Sequence, residues 1–89
     1  MARVEAAEFG ERETHLVFIA SSVAEAERVE ELLSEQGVDY AVALERYVAG
    51  LLFARERAGV GFHVLETQAA FSRTVLRRRF KAGVIEAQE

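Results

Sequence analysis

Two histidines, one carboxylate and a run of basic residues are the side chains of this sequence with the clearest chemical potential. His15 and His63 each sit in a short apolar segment, and Glu45 sits in a third. If those segments are neighbouring strands and strict alternation holds, all three share one sheet face. Two imidazoles and a carboxylate can bind a divalent metal or act as an acid–base pair. Histidines on strands also fill polar gaps in interfaces. A second cluster comprises Arg73, Arg77, Arg78, Arg79 and Lys81. Arg73 and Arg77 are four residues apart, so a helix places them on one face, where guanidinium groups can grip a phosphate or carboxylate. The same cations would also suit a solvated helix end, or an ion-pairing surface for an acidic helix of another copy.

Other routes to catalysis are closed or empty. The chain has no cysteine, so thiolate metal sites, cysteine nucleophiles and disulfides are excluded. Gly59-Val60-Gly61 is a bare G-x-G with no helix after it to bind phosphate. The serines lack the strand–turn–helix setting of an activated nucleophile. No catalytic residue and no cofactor are therefore expected.

The elements that must position these groups can be read from spacing. Thr14–Ala20 (THLVFIA) is a β-branched apolar run, which predicts a buried strand. Ser22 and Glu25 form an S-x-x-E capping box, and Val23, Ala26, Val29, Leu32 and Leu33 follow at helical spacing until Gly37. That predicts a helix over 22–36. Val38–Arg46 alternates, placing Val38, Tyr40, Val42 and Leu44 on one side of a second strand. Val60–Glu66 predicts a third, with Phe62 and Val64 opposed to His63 and Leu65. Thr67 can cap a second helix to about Phe80 that buries Ala70, Phe71 and Val75, with Leu76 and Phe80 as further candidates for the same face. Gly83 then precedes a short final strand at Val84 and Ile85.

The order β-α-β-β-α-β predicts an α+β fold of the ferredoxin-like kind: a four-stranded antiparallel sheet, order 4-1-3-2, with two helices on one face. Residues 1–13 form a polar arm and 14–89 a single domain. Residues 47–59 are too long for a tight hairpin and too apolar for a solvent loop. They suit an extended hairpin closing at Arg57–Gly59 or a short amphipathic helix, and Leu51, Leu52 and Phe53 could line a ligand pocket or clasp a neighbour.

A sheet with helices on one face needs polar residues on the other. Strict alternation instead sends Leu16 and Phe18 to the helices and Val17, Ile19, Ala41, Ala43 and Leu65 to the open face. Such a patch predicts self-association, unless the arm covers it through Val4 and Phe9. Charge supports contact between copies. Residues 1–45 carry eleven acids and three bases, and residues 46–89 carry four acids and eight bases. The net charge of −4 makes nucleic acid an unsuited partner. The acidic start is no signal peptide, and no apolar run reaches membrane-spanning length, so a cytoplasmic location is expected.

Residues 15–45, most clearly the segment 21–42 (SSVAEAERVEELLSEQGVDYAV), also resemble a group of short bacterial domains described as prokaryotic signal-transducing proteins, PII-like in fold. The shared pattern is a serine-capped helix with Glu25, Ala26, Leu32 and Leu33, then Gly37 and a strand from Val38. The resemblance implies a regulatory role and carries over no functional residues. The leading expectation is a non-catalytic, homo-oligomeric regulatory or small-ligand-sensing module. Alternatives are a protein-interaction adaptor docking a partner on the open sheet face, and a small metal-binding or catalytic protein using His15 and His63.

Overall fold

The computed structural model describes residues 3–49 and 55–86. Its regular elements are β1 (Thr14–Ala20), α1 (Val23–Glu35), β2 (Tyr40–Ala49), β3 (Arg55–Leu65) and α2 (Glu66–Arg79). A 3-10 turn at Ala6–Phe9 precedes them. The three strands form one antiparallel sheet in the order β1-β3-β2. The expected final strand is, among the described residues, a single antiparallel bridge between Phe18 and Val84. It is flanked by hydrogen bonds from Ile19 N–H to Gly83 O and from Ile85 N–H to Val17 O, both 2.9 Å.

Local chemistry explains α1. The Ser22 side chain accepts from Glu25 N–H at 3.1 Å, and the Glu25 carboxylate accepts from Ser21 N–H at 3.0 Å, so two orphan amides are satisfied. Ala26, Val29, Leu32 and Leu33 are buried as expected, while Val23 lies outside the core. The helix stops at Gly37, whose φ of 72° lies in the left-handed region.

Residues from both helices join one core with Phe18, Tyr40, Phe62 and Val64 of the sheet. Phe18 lies edge-on to Phe62 at 6.5 Å between centroids and meets Phe80 at 5.1 Å. At the far edge, Arg3 Nε and the Tyr40 hydroxyl both donate to Glu30 Oε1, each at 2.8 Å. Burial first, then this carboxylate neighbour, push the Tyr40 phenol above its ordinary pKa. Val4 N–H donates to Tyr40 O, so the arm starts beside β2 and ends at β1. It must pass the end of β3, which lies between them. Phe9 and Ala41 are buried, yet neither belongs to the helix-side core.

Three expectations are corrected by the structure. First, β1 does not alternate strictly. His15 pairs with Val64, Leu16 with His63 and Phe18 with Phe62, which leaves Val17 as an inserted residue. This bulge buries both Val17 and Phe18 in the core and sends Leu16 to the open face beside His63. Val17 is therefore no interface residue.

Second, α2 begins at Glu66 with no side-chain cap, and its buried stripe is Ala69, Ser72, Arg73 and Leu76. Ala70 and Phe71 face outward and Val75 is only half-buried, because Arg73 turns inward. Its Nε donates to Ile85 O at 2.6 Å and its Nη2 to Leu16 O at 3.1 Å, which makes burial of the guanidinium tolerable. Third, residues 57–59 form no turn. They are strand, pairing with Tyr47, Arg46 and Glu45.

Ser72 Oγ is buried with no hydrogen-bond partner. Replacing it by alanine removes that unsatisfied hydroxyl at almost constant volume. Ser72→Ala is expected to raise stability by about 1 kcal/mol in chemical denaturation. A loss of similar size would show that the hydroxyl is satisfied in solution. No helix among the described residues is long and apolar enough to cross a membrane.

Candidate functional site

The most distinctive surface follows from strand lengths. β1 pairs with β3 only as far as Ala20 opposite Val60, whereas β2 and β3 stay paired out to Ala49 opposite Arg55. A two-stranded ribbon therefore runs past the rest of the sheet. Its sequence explains the form: Leu44, Val48 and Ala49 suit a strand, and Arg55, Glu56 and Arg57 supply long side chains on the return. Arg46 Nη1 donates to Glu56 Oε1 at 2.6 Å across the two strands.

Tyr40, Val42, Leu44 and Val48 share one parity, but only the first two lie under the helices. Tyr40 is fully buried, while Leu44 is 75 % exposed and Val48 70 %. β2 is also an edge. Beyond the contact at Arg3 and Val4, Val42–Val48 have no strand partner on their outer side among the described residues. Leu51, Leu52 and Phe53, expected to line a pocket or clasp a neighbour, lie outside the described residues.

At the root of the ribbon is a groove of about 400 Å³ lined chiefly by Ile19, Tyr47, Val48 and Gly83–Ile85. The open face behind it is built on small residues. Gly59 and Gly61 of β3 lie between Ile19 and Leu16 on one side and Tyr47 and Glu45 on the other. Because Gly61 has no side chain, Glu45 can lie across it and bring Oε1 to 2.8 Å from His63 Nε2. Ala41 is buried, Ala43 is exposed, and Ile19 and Leu65 are half-buried. The broad apolar patch expected there is thus reduced.

The two histidines separate. The inserted residue in β1 puts His15 on the parity of Val64, so it does not join His63 and Glu45 on one face. His15 Nε2 instead meets Glu13 Oε2 at 2.6 Å. That hydrogen bond holds the exposed Glu13 carboxyl below its ordinary pKa. Glu66 lies close by, and one ligand atom from each of Glu13, His15 and Glu66 falls within 4.8 Å of the others. Sequence reading missed both glutamates. Glu13 stands just before β1, two residues from His15, and that spacing was the one visible signal. Glu66 arrives only through the β3–α2 junction.

The arginine pair is not a free anion site. Arg73 is buried against two carbonyls, and Arg77 Nε donates to Glu86 Oε1 at 3.0 Å, with Nη2 on the other carboxylate oxygen. Both residues hold the chain's own C-terminal segment against α2. The ion pair keeps the exposed Glu86 carboxyl below its ordinary pKa. No family model, curated protein or solved structure matches the chain.

Proposed function

We propose that this protein is a non-catalytic regulatory module that works as a homo-oligomer, with copies joined along the outer edge of β2. The observation that carries this reading is the exposure of Leu44 and Val48 on an edge strand whose outer side, from Val42 to Val48, has no strand partner among the described residues. Long, apolar, open edges pair with other strands unless they are blunted. Two identical edges can pair about a twofold axis. Charge favours a second copy over an unlike partner. Beyond the Arg46–Glu56 pair the ribbon carries Arg55 and Arg57, and the exposed side of α1 carries Glu27, Glu31 and Glu35, so one chain presents both halves of a complementary pair.

The regulatory part of the proposal draws on the groove beneath the ribbon. A small, largely apolar ligand held between Tyr47, Val48 and Ile85 would touch the ribbon and the C-terminal segment together, so its binding would be coupled to assembly. The resemblance of residues 21–42 to prokaryotic signal-transducing domains points the same way. The Phe18–Val84 bridge, with its two flanking hydrogen bonds, supports a ferredoxin-like topology in which Gly83–Ile85 stands as the fourth strand in 4-1-3-2 order. A cytoplasmic location fits this reading.

Sedimentation equilibrium at micromolar concentrations tests the assembly. The wild type is expected to associate, and Leu44→Arg/Val48→Arg to weaken association about 100-fold or more by setting like charges together. Its circular dichroism should be unchanged. Phe71→Ser, on the exposed side of α2, should associate like the wild type. A monomeric wild type, or dissociation by Phe71→Ser alone, would overturn the proposal. Recovery of a discrete different protein by a monomeric chain would favour an adaptor.

A further inference from the structure

We infer that Glu13, His15 and Glu66 form a binding site for a first-row divalent cation such as Zn²⁺, Mn²⁺ or Co²⁺. The inference stands apart from the proposed assembly, which involves the opposite edge of the sheet. Three different pieces of the chain converge here: the end of the arm, the start of β1 and the first residue of α2. Glu66 N–H donates to Glu13 O at 3.0 Å, which ties the helix start to the strand start at the level of the backbone. The three side chains therefore approach from anchored positions.

The donor set is mixed, with one imidazole nitrogen and two carboxylates. Such N,O donors suit borderline first-row ions better than Ca²⁺ or Mg²⁺, which favour oxygen alone. The spacing also fits. Bonds of about 2.1 Å to one ion place neighbouring donors ~3 Å apart. Glu13 Oε2 and His15 Nε2 are already 2.6 Å apart, and the third donor lies within 4.8 Å, a gap that rotation of an exposed glutamate closes.

Electrostatics supply the second argument. Glu13 and Glu66 bring two carboxylates within reach of one another, and among the described residues neither is paired with a lysine or arginine. Like charges at that separation repel unless a proton or cation lies between them. Among the described residues, His15 is the basic side chain in contact with this pair, through Glu13. A divalent ion would replace the Glu13–His15 hydrogen bond with two coordinate bonds and bring Glu66 into the same shell. Three protein ligands would leave further positions on the ion to water.

Co²⁺ is the probe for a direct test, because its visible absorption reports coordination by nitrogen and oxygen. Metal-free protein titrated with cobalt chloride is expected to develop a saturable band and to bind Zn²⁺ in competition. His15→Ala and Glu66→Gln should each weaken binding by about tenfold or more. Both substitutions are at exposed or half-exposed positions, and circular dichroism checks their folding. His63→Ala should leave the titration unchanged, since His63 pairs with Glu45 on the other face. The inference fails if no saturable band appears at millimolar cobalt, if both variants bind like the wild type, or if His63→Ala abolishes binding.

Discussion

Gly83→Ala is expected to lower stability by about 2–4 kcal/mol, which for a domain of this size is a fall of roughly 10–25 °C in Tm. Two independent effects act on the same atom. The backbone of Gly83 has φ of 106°, a conformation that an L side chain adopts only under strain. A Cβ there would also lie 2.5–2.9 Å from three atoms of the Phe18 ring. That ring cannot step aside, because it is fully buried between Phe62 and Phe80. The C-terminal segment must either lift away or displace the core aromatic. Amide exchange separates these responses: lifting exposes the Ile19 and Ile85 amides, which bond to Gly83 O and Val17 O. A loss below about 1 kcal/mol would show that the segment does not rest on Phe18.

The two glycines of β3 should behave very differently despite being two residues apart. A Cβ on Gly59 would stand 2.6 Å from the Ala20 carbonyl oxygen and 2.7 Å from Ile19 Cγ2. A backbone oxygen yields only if β1 moves, so Gly59→Ala is expected to cost about 2–3 kcal/mol. At Gly61 the nearest atom to an added Cβ is Glu45 Cγ, the flexible part of a partly exposed side chain. Glu45 can swing away, and alanine restricts the unfolded chain more than glycine does, so Gly61→Ala should lie within about 1 kcal/mol of the wild type. Its signature is local. The Glu45–His63 hydrogen bond is lost, and the imidazole resonances of His63 should shift. Equal costs at the two positions would contradict this account.

Most of the architecture was legible because its signals are local. Ser22, Glu25 and Gly37 fix the ends of α1 through capping chemistry, and alternation of Phe62 and Val64 against His63 sets the phase of β3. The bulge in β1 was not legible. Leu16-Val17-Phe18-Ile19 is apolar at every position, so no residue marks where the phase slips. That one residue moved Val17 into the core and parted His15 from His63, which removed the triad inferred from parity. Arg73 was misread for a related reason. A charged residue signals exposure on average, and only tertiary structure brings the carbonyls of Leu16 and Ile85 that accept its donors. The ribbon was only partly legible: alternation marked a strand as far as Arg46, its continuation through Tyr47 to Ala49 was equally compatible with a helix, and Arg55-Glu56-Arg57 does not read as a strand.

The bareness of Gly59 has a mechanical corollary. The atoms nearest its missing Cβ include Ile19 Cγ2 on one outer strand and Tyr47 Cε1 on the other. Side chains of the two flanking strands thus close over the middle one above Gly59. Ile19 in turn donates its amide to Gly83 O, so the space above Gly59 borders the hydrogen bond that holds the segment after α2. A larger side chain at position 59 would therefore press on both outer strands and on the attachment of Gly83 at once.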